Sequence, residues 1–239
     1  ILEIDSYGGS ASASEQSYRI VKEAVARLAK RKVKVIAHTS LGALSGGYYI
    51  AMGVGHGNFF ADPGAPVGSI GVIMSLFNTE KLGEIFGITE NIIKTGPLKS
   101  TGAQWEKLTP EQRAMLQESV NDNFELFLQA VSEGRGIDMA TLRRESQLPS
   151  GCCNGGMFSA KRGLERKLID GIIPVEDLYK VKASNLPDRD KFNKVEFVEY
   201  RLQVGTFEKM TKKAAQALGV LWGSMRSEVV HRDAPMRAE

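Results

Sequence analysis

Short apolar runs alternate with amphipathic stretches through the first hundred residues, and no other feature of the chain restricts its fold as much. Ile1-Leu2-Glu3-Ile4 reads as a strand, and Asp5-Ser6-Tyr7-Gly8-Gly9-Ser10 as the turn that follows it. Residues 14–30 then place Tyr18, Val21, Val25 and Leu28 at spacings of three and four, which is one apolar stripe along a helix. A second strand is expected at 33–37. Strand, helix and strand in this order make a βαβ unit, so the expected class is α/β with a largely parallel sheet.

After the turn Leu41-Gly42-Ala43-Leu44, a helix is expected to begin at Ser45. Short strands are expected at 59–61 and 70–74, flanking a Pro/Gly loop at 62–68, with a helix at 79–86 and a strand at 91–94. The clearest helix runs over 109–133, because Thr109-Pro110-Glu111-Gln112 supplies a capping box with proline in its first turn. Its apolar face is Leu116, Val120, Phe124, Phe127 and Val131. A helix at 159–167 leads into Ile169-Asp170-Gly171-Ile172-Ile173 and a short helix near 175–179. Polar residues 185–190 read as a linker, 195–204 as a strand and 207–222 as an amphipathic helix. The expected domains are therefore 1–183 and an extension at 184–239, a candidate for self-association.

Composition narrows the function. The 239 residues carry 31 Lys and Arg against 28 Asp and Glu, a net charge of +3, which is too weak a field to gather nucleic acid. The two cysteines are neighbours, Cys152 and Cys153, so they form no loop-closing disulfide and lack the paired spacing of a zinc site. No apolar run of about 18 residues is present to span a bilayer. Because the chain opens directly on a strand at Ile1, an upstream segment, a membrane anchor among the candidates, is expected to precede it.

Three glycine-rich stations carry the chemistry. In Asp5-Ser6-Tyr7-Gly8-Gly9, paired glycines after a strand leave N–H groups free to hold a developing negative charge. In Ala43-Leu44-Ser45-Gly46-Gly47-Tyr48-Tyr49, a serine stands at a strand-to-helix junction, where unpaired N–H groups favour an oxyanion beside it. Serine is also a common helix cap, and taken alone Ser45 reads more readily as a cap than as a nucleophile. Val67-Gly68-Ser69-Ile70-Gly71-Val72 is followed by Lys94-Thr95-Gly96-Pro97-Leu98-Lys99-Ser100. A lysine serves as general base only when neutral, which apolar enclosure favours, and a neighbouring serine can aim its amine.

In this order the stations resemble the signal peptide peptidase A family of serine proteases, and the likeness extends through Gly134-Arg135-Gly136 and Phe158-Ser159-Ala160 to Leu168-Ile169-Asp170-Gly171. The resemblance implies a fold of the Clp-protease/crotonase type, stacked βαβ units with a helical arm. It implies Ser45 as nucleophile, Lys99 as general base with Lys94 as the fallback, Ser69 orienting the base, and the N–H groups of Gly9 and Gly46 as oxyanion hole. No metal or cofactor is implied. The expected partners are a peptide substrate, such as a cleaved signal peptide, and further copies of the chain in a ring or dome, at or near a membrane. Tyr7 stands where the family has proline, and Leu44 where it has a small residue.

Rival readings start from the same residues. His38 invites a Ser-His-Asp triad with Asp5 or Asp62. A catalytically silent assembly protein, acyl-CoA chemistry on the crotonase-type fold, and a phage-type capsid-maturation protease of the same family are the remaining alternatives.

Overall fold

The computed structural model describes residues 1–178. The expected linker, strand and helix beyond residue 184, and the boundary near 183, lie outside the described residues. The class is α/β, as the alternation requires. Strands β1 (Leu2–Glu3), β2 (Ala37–Thr39), β4 (Phe59–Ala61) and β7 (Gly171–Ile172) form one parallel sheet in the order β1-β2-β4-β7. A second sheet has the order β3-β5-β6, from β3 (Ala43–Leu44), β5 (Pro66–Gly68) and β6 (Met157–Ser159), with β6 antiparallel to β5. A bridge between Ser6 and Ala43 carries the chain leaving β1 onto the edge of this second sheet.

Helix α1 (Ala11–Lys30) starts three residues earlier than the expected 14, because the Ser10 hydroxyl caps it by accepting from the Ala13 N–H. Helix α2 (Gly46–Ala51) follows β3 and runs into a 3-10 turn at Met52–Val54. Helix α3 (Glu80–Phe86) falls where expected, and α4 (Pro110–Arg135) opens on the expected capping box: the Thr109 hydroxyl accepts from Gln112 N–H at 3.2 Å, and the Gln112 side chain accepts from Thr109 N–H at 3.0 Å. Helices α5 (Met139–Gln147) and α6 (Ala160–Glu165) follow, α5 without a sequence expectation, and residues 175–178 are helical where a short helix was expected.

Several strands differ from expectation. The second begins at Ala37 rather than 33, because pairing with β1 is set by Leu2 opposite Ala37, and Val33 is left in solvent. The Pro/Gly segment read as a loop holds β5, with Pro66 at the strand's first position, where a missing N–H costs the ladder least. Residues 70–74 and 91–94 form no strand, and Ile93 is fully exposed.

Aromatic packing fixes α2. Tyr49 stacks on Phe127 of α4 with centroids 4.5 Å apart, and Tyr18 of α1 tilts against Tyr49 at 5.5 Å. Tyr48, fully buried, donates to the Leu168 carbonyl at 2.8 Å. Across the top, Glu133 of α4 accepts from the Tyr18 hydroxyl at 2.7 Å and pairs with Lys22. Burial and this hydrogen bond together push the Tyr18 phenol up. Helix α2 is thus held through Tyr49 by α1 and α4 at once. Among the described residues no helix is long and apolar enough to cross a membrane.

Candidate active site

Ser45 occupies the junction between β3 and α2 with φ 50° and ψ −118°, a conformation that non-glycine residues rarely hold. Three contacts enforce it. Leu44 N–H donates to the Ser6 carbonyl at 2.9 Å, Ser45 N–H to Gly68 at 2.9 Å, and the Ser45 carbonyl accepts from Tyr49 at 2.9 Å. Although Ser45 stands at the helix cap position, its hydroxyl makes no capping hydrogen bond and has no other partner among the described residues. The cap reading of this serine therefore fails, and the hydroxyl is free to react.

The two glycines after Ser45 have a steric cause. A Cβ on Gly46 would lie 2.2 Å from the Ser14 hydroxyl, and one on Gly47 would lie 2.4 Å from the Ser6 carbonyl. Gly8, at φ 108°, closes the other side: a Cβ there would come within 2.7 Å of the Ser45 Cβ and 3.0 Å of its Oγ. The β1–α1 turn and the start of α2 therefore meet backbone to backbone around one hydroxyl. Gly46→Ala is expected to displace the Ser14 hydroxyl from the Ser10 carbonyl, 2.9 Å away, and to lower stability by about 1–3 kcal/mol. Adding Ser14→Ala should restore most of that loss in a urea unfolding curve, since only the Oγ is in the way.

Ser45 opens onto a cavity of about 370 Å³. Its wall includes Gly9, Gly46 and Ser69, so four of the five residues expected at the site are brought together. Ser69 also has positive φ, 51°, and is held by its N–H donating to the Gly156 carbonyl at 2.7 Å. Gly46 is the first residue of α2, and its N–H is one that no intrahelical carbonyl can satisfy. Asn123 and Phe127 of α4, Ser14 of α1 and Gly155 also line the wall and were not foreseen as site residues. The paired glycines at 155–156 were the one legible sign of the last.

Lys99 is placed elsewhere in the single chain. It is exposed, on a turn closed by its own N–H to the Gly96 carbonyl at 3.2 Å, and is not among the residues lining the cavity. Its amine makes no hydrogen bond or ion pair among the described residues. Lys94 is engaged: its amine donates to the Ser100 hydroxyl at 2.7 Å and lies 3.8 Å from Glu106. The segment leading to Lys99 exposes Ile73, Phe77, Ile85, Phe86 and Ile93, and Ile73 also borders the cavity.

The triad alternative loses its members to the scaffold. His38 is fully buried in β2 with Nε2 2.9 Å from the Ile173 carbonyl, an acceptor, so Nε2 carries the proton and donates. Asp5 accepts from the Thr39 hydroxyl and from the Ser40 and Leu41 N–H groups at 2.8–3.0 Å, which ties the turn between β2 and β3. Asp62 accepts from Val175 N–H at 3.4 Å.

Comparison with known proteins gives the family. The model of peptidase family S49 matches residues 27–187. A putative protease of Synechocystis is 32% identical over 177 residues, covering 74% of this chain and 59% of the relative. A putative signal peptide peptidase SppA of Enterococcus faecium is 29% identical, covering 84% and 54%, and the chloroplastic serine protease SPPA of Arabidopsis thaliana is 32% identical, covering 82% and 27%. The chain thus spans little more than half the length of the bacterial relatives. With a free serine hydroxyl at a strained strand-to-helix junction and a family match over two thirds of its length, the chain belongs to peptidase family S49.

Proposed function

We propose that this chain is the catalytic part of a serine endopeptidase that hydrolyses unfolded, apolar peptides, cleaved signal peptides among them, with Ser45 as nucleophile and Lys99 as general base. The observation that carries the reading is the Ser45 hydroxyl, unbonded and facing a cavity shared with Ser69, Gly9 and Gly46. The neutral lysine amine takes the Ser45 proton as Oγ attacks the peptide carbonyl. The Gly46 and Gly9 N–H groups receive the oxyanion, the amine protonates the leaving nitrogen, and water activated by the same lysine releases the acyl group. Ser69 accepts or donates a hydrogen bond to aim the amine.

Since Lys99 is exposed in the single chain and the apolar segment before it is uncovered, a second copy completes the site: its Lys99 enters beside Ser45 while residues such as Phe77 and Ile93 become buried. Enclosure among apolar side chains also favours a neutral amine. Membrane association would bring such an assembly to its substrates.

Mixing two inactive variants tests the arrangement. Ser45→Ala and Lys99→Ala should each be inactive, losing about a thousandfold or more. Combined and allowed to exchange subunits, they should regain a substantial share of the parent rate, because the intact Ser45 of one meets the intact Lys99 of the other. No recovery, although subunit exchange is demonstrated, would overturn the two-copy site. Full activity in Lys99→Ala would overturn Lys99 as base.

A further inference from the structure

The segment 151–156 touches two cavities. At one end Cys152 lines a second cavity of about 450 Å³, with Glu145, Arg166 and Lys167 nearby on its wall. At the other end Gly155 lines the Ser45 cavity. Between them the Cys152 and Cys153 sulfurs are in contact at 3.3 Å, both buried, Cys153 more completely. Gly155 N–H donates to the Ile70 carbonyl at 3.0 Å, and the Gly156 carbonyl holds Ser69. Asn154 braces the segment, accepting from Gly156 N–H and donating to the Leu148 and Pro149 carbonyls at 2.9–3.0 Å.

We propose that Cys152 and Cys153 form a redox-modifiable dithiol, which a small hydroperoxide entering the second cavity oxidises to a ring disulfide that displaces the Ser69 side of the Ser45 cavity. The Cys152 thiolate sulfur attacks the peroxide oxygen, the O–O bond breaks and an alcohol leaves, giving a sulfenic acid. The Cys153 sulfur, losing its proton, then displaces the hydroxyl as water. Two thiols and one hydroperoxide thus become one disulfide, one alcohol and one water, with the peroxide as the two-electron oxidant. The roles follow from position: Cys152 faces the cavity, and Cys153 has no other sulfur within reach. The hydrogen bond from Cys153 also holds the Cys152 thiol below its ordinary range, while that contact and burial push Cys153 up.

The ring must couple to the active cavity. Adjacent Cα atoms are only about 3.8 Å apart, against the roughly 4.4–6.8 Å of ordinary disulfides, and the sulfurs must close to about 2.05 Å. The backbone of 152–154 absorbs this change and passes it to Gly155 and Gly156. A disulfide closed under such strain is readily reduced, which makes the change reversible.

The chain has two cysteines, so mass spectrometry identifies the bond without ambiguity. Reduced protein is treated with hydrogen peroxide at a small molar excess and quenched with catalase. Expected are a monomer lighter by two hydrogens, faster hydrogen exchange at the Ser69 amide, and peptide hydrolysis lower by about tenfold or more, all reversed by dithiothreitol. Cys152→Ala should hydrolyse peptide normally and resist the peroxide. Addition of oxygen atoms to sulfur, a disulfide between chains, or a ring that leaves Ser69 exchange unchanged each overturns the proposal. Mass and exchange are read without catalysis, so they stand or fall separately from the protease reading.

Discussion

Peptide hydrolysis by the Ser45→Ala protein is expected to fall ten-thousandfold to a millionfold while its unfolding transition stays within about half a kcal/mol of the parent. Both parts follow from the same feature. Among the described residues the Ser45 hydroxyl caps nothing and bonds to nothing, so its removal takes no hydrogen bond from that part of the fold. The strained backbone is equally strained for alanine, which keeps the Cβ that packs against Gly8. What disappears is the hydroxyl proposed to attack. A fluorophosphonate probe should label the parent at Ser45 and leave the variant untouched, with circular dichroism confirming that both are folded. A variant that retains the parent's rate would show that the nucleophile lies elsewhere.

Arg135→Met is expected to destabilise the protein by about 3–5 kcal/mol at neutral pH. The Arg135 guanidinium, at the C-terminal end of α4, is 1% exposed and forks onto Asp170 with bonds of 2.7 and 2.8 Å, while its Nε donates to the Lys167 carbonyl at 2.8 Å. Asp170 also accepts from Phe59 N–H at 2.9 Å, so this one pair locks α4 to the edge of β4. Methionine fills the volume of the stem and leaves the carboxylate without its cation. Burial works to raise the Asp170 carboxyl, but the Arg135 hydrogen bonds and charge outweigh it, so the net direction is down. The sign of the pH dependence follows. The stabilisation is present above the ordinary carboxylate range, near pH 4, and is lost as pH falls through the lowered folded value. The stability gap between parent and variant, measured by urea unfolding, should therefore narrow below about pH 4. Asp170→Asn added to Arg135→Met should recover part of the loss by removing the stranded charge. A gap that stays constant down to acid pH would show that lost packing, and not charge, is responsible.

This ion pair also shows what a sequence can and cannot disclose. Gly134-Arg135-Gly136 and Leu168-Ile169-Asp170-Gly171 were legible as separate motifs of the family resemblance, yet nothing in either says that they bond to each other. Local signals carried furthest where the cause is local: the capping box at Thr109 and the stripe of α1 located two helices without reference to the rest of the chain. Strands of two or three residues carry less of such a signal, although the apolar run at 59–61 did locate β4. β3 and β5 lay within segments that read as turn and loop, because their pairing is decided by distant partners. At the site, glycine patterns marked the stations that hold Ser45, Gly9, Gly46 and Ser69, the family resemblance implied their roles, and the structure brings the four to one cavity. The contributions of Ser14, Asn123 and Phe127 depend on how α1 and α4 cross α2, and no spacing along the chain records that crossing. Lys99 remains the exception: its motif pointed to the site, whereas its position in one chain is on the surface.

The hold of Gly156 on Ser69 joins an early part of the chain to a late one. During synthesis the peptide leaves the ribosome from its N-terminus, and Ser45 and Ser69 emerge well before β6 exists to flank β5. A half-made molecule therefore displays the hydroxyl without a finished pocket around it. The wall around Ser45 is therefore complete only once the chain has passed β6, and the earlier segments wait for the later one to set their positions.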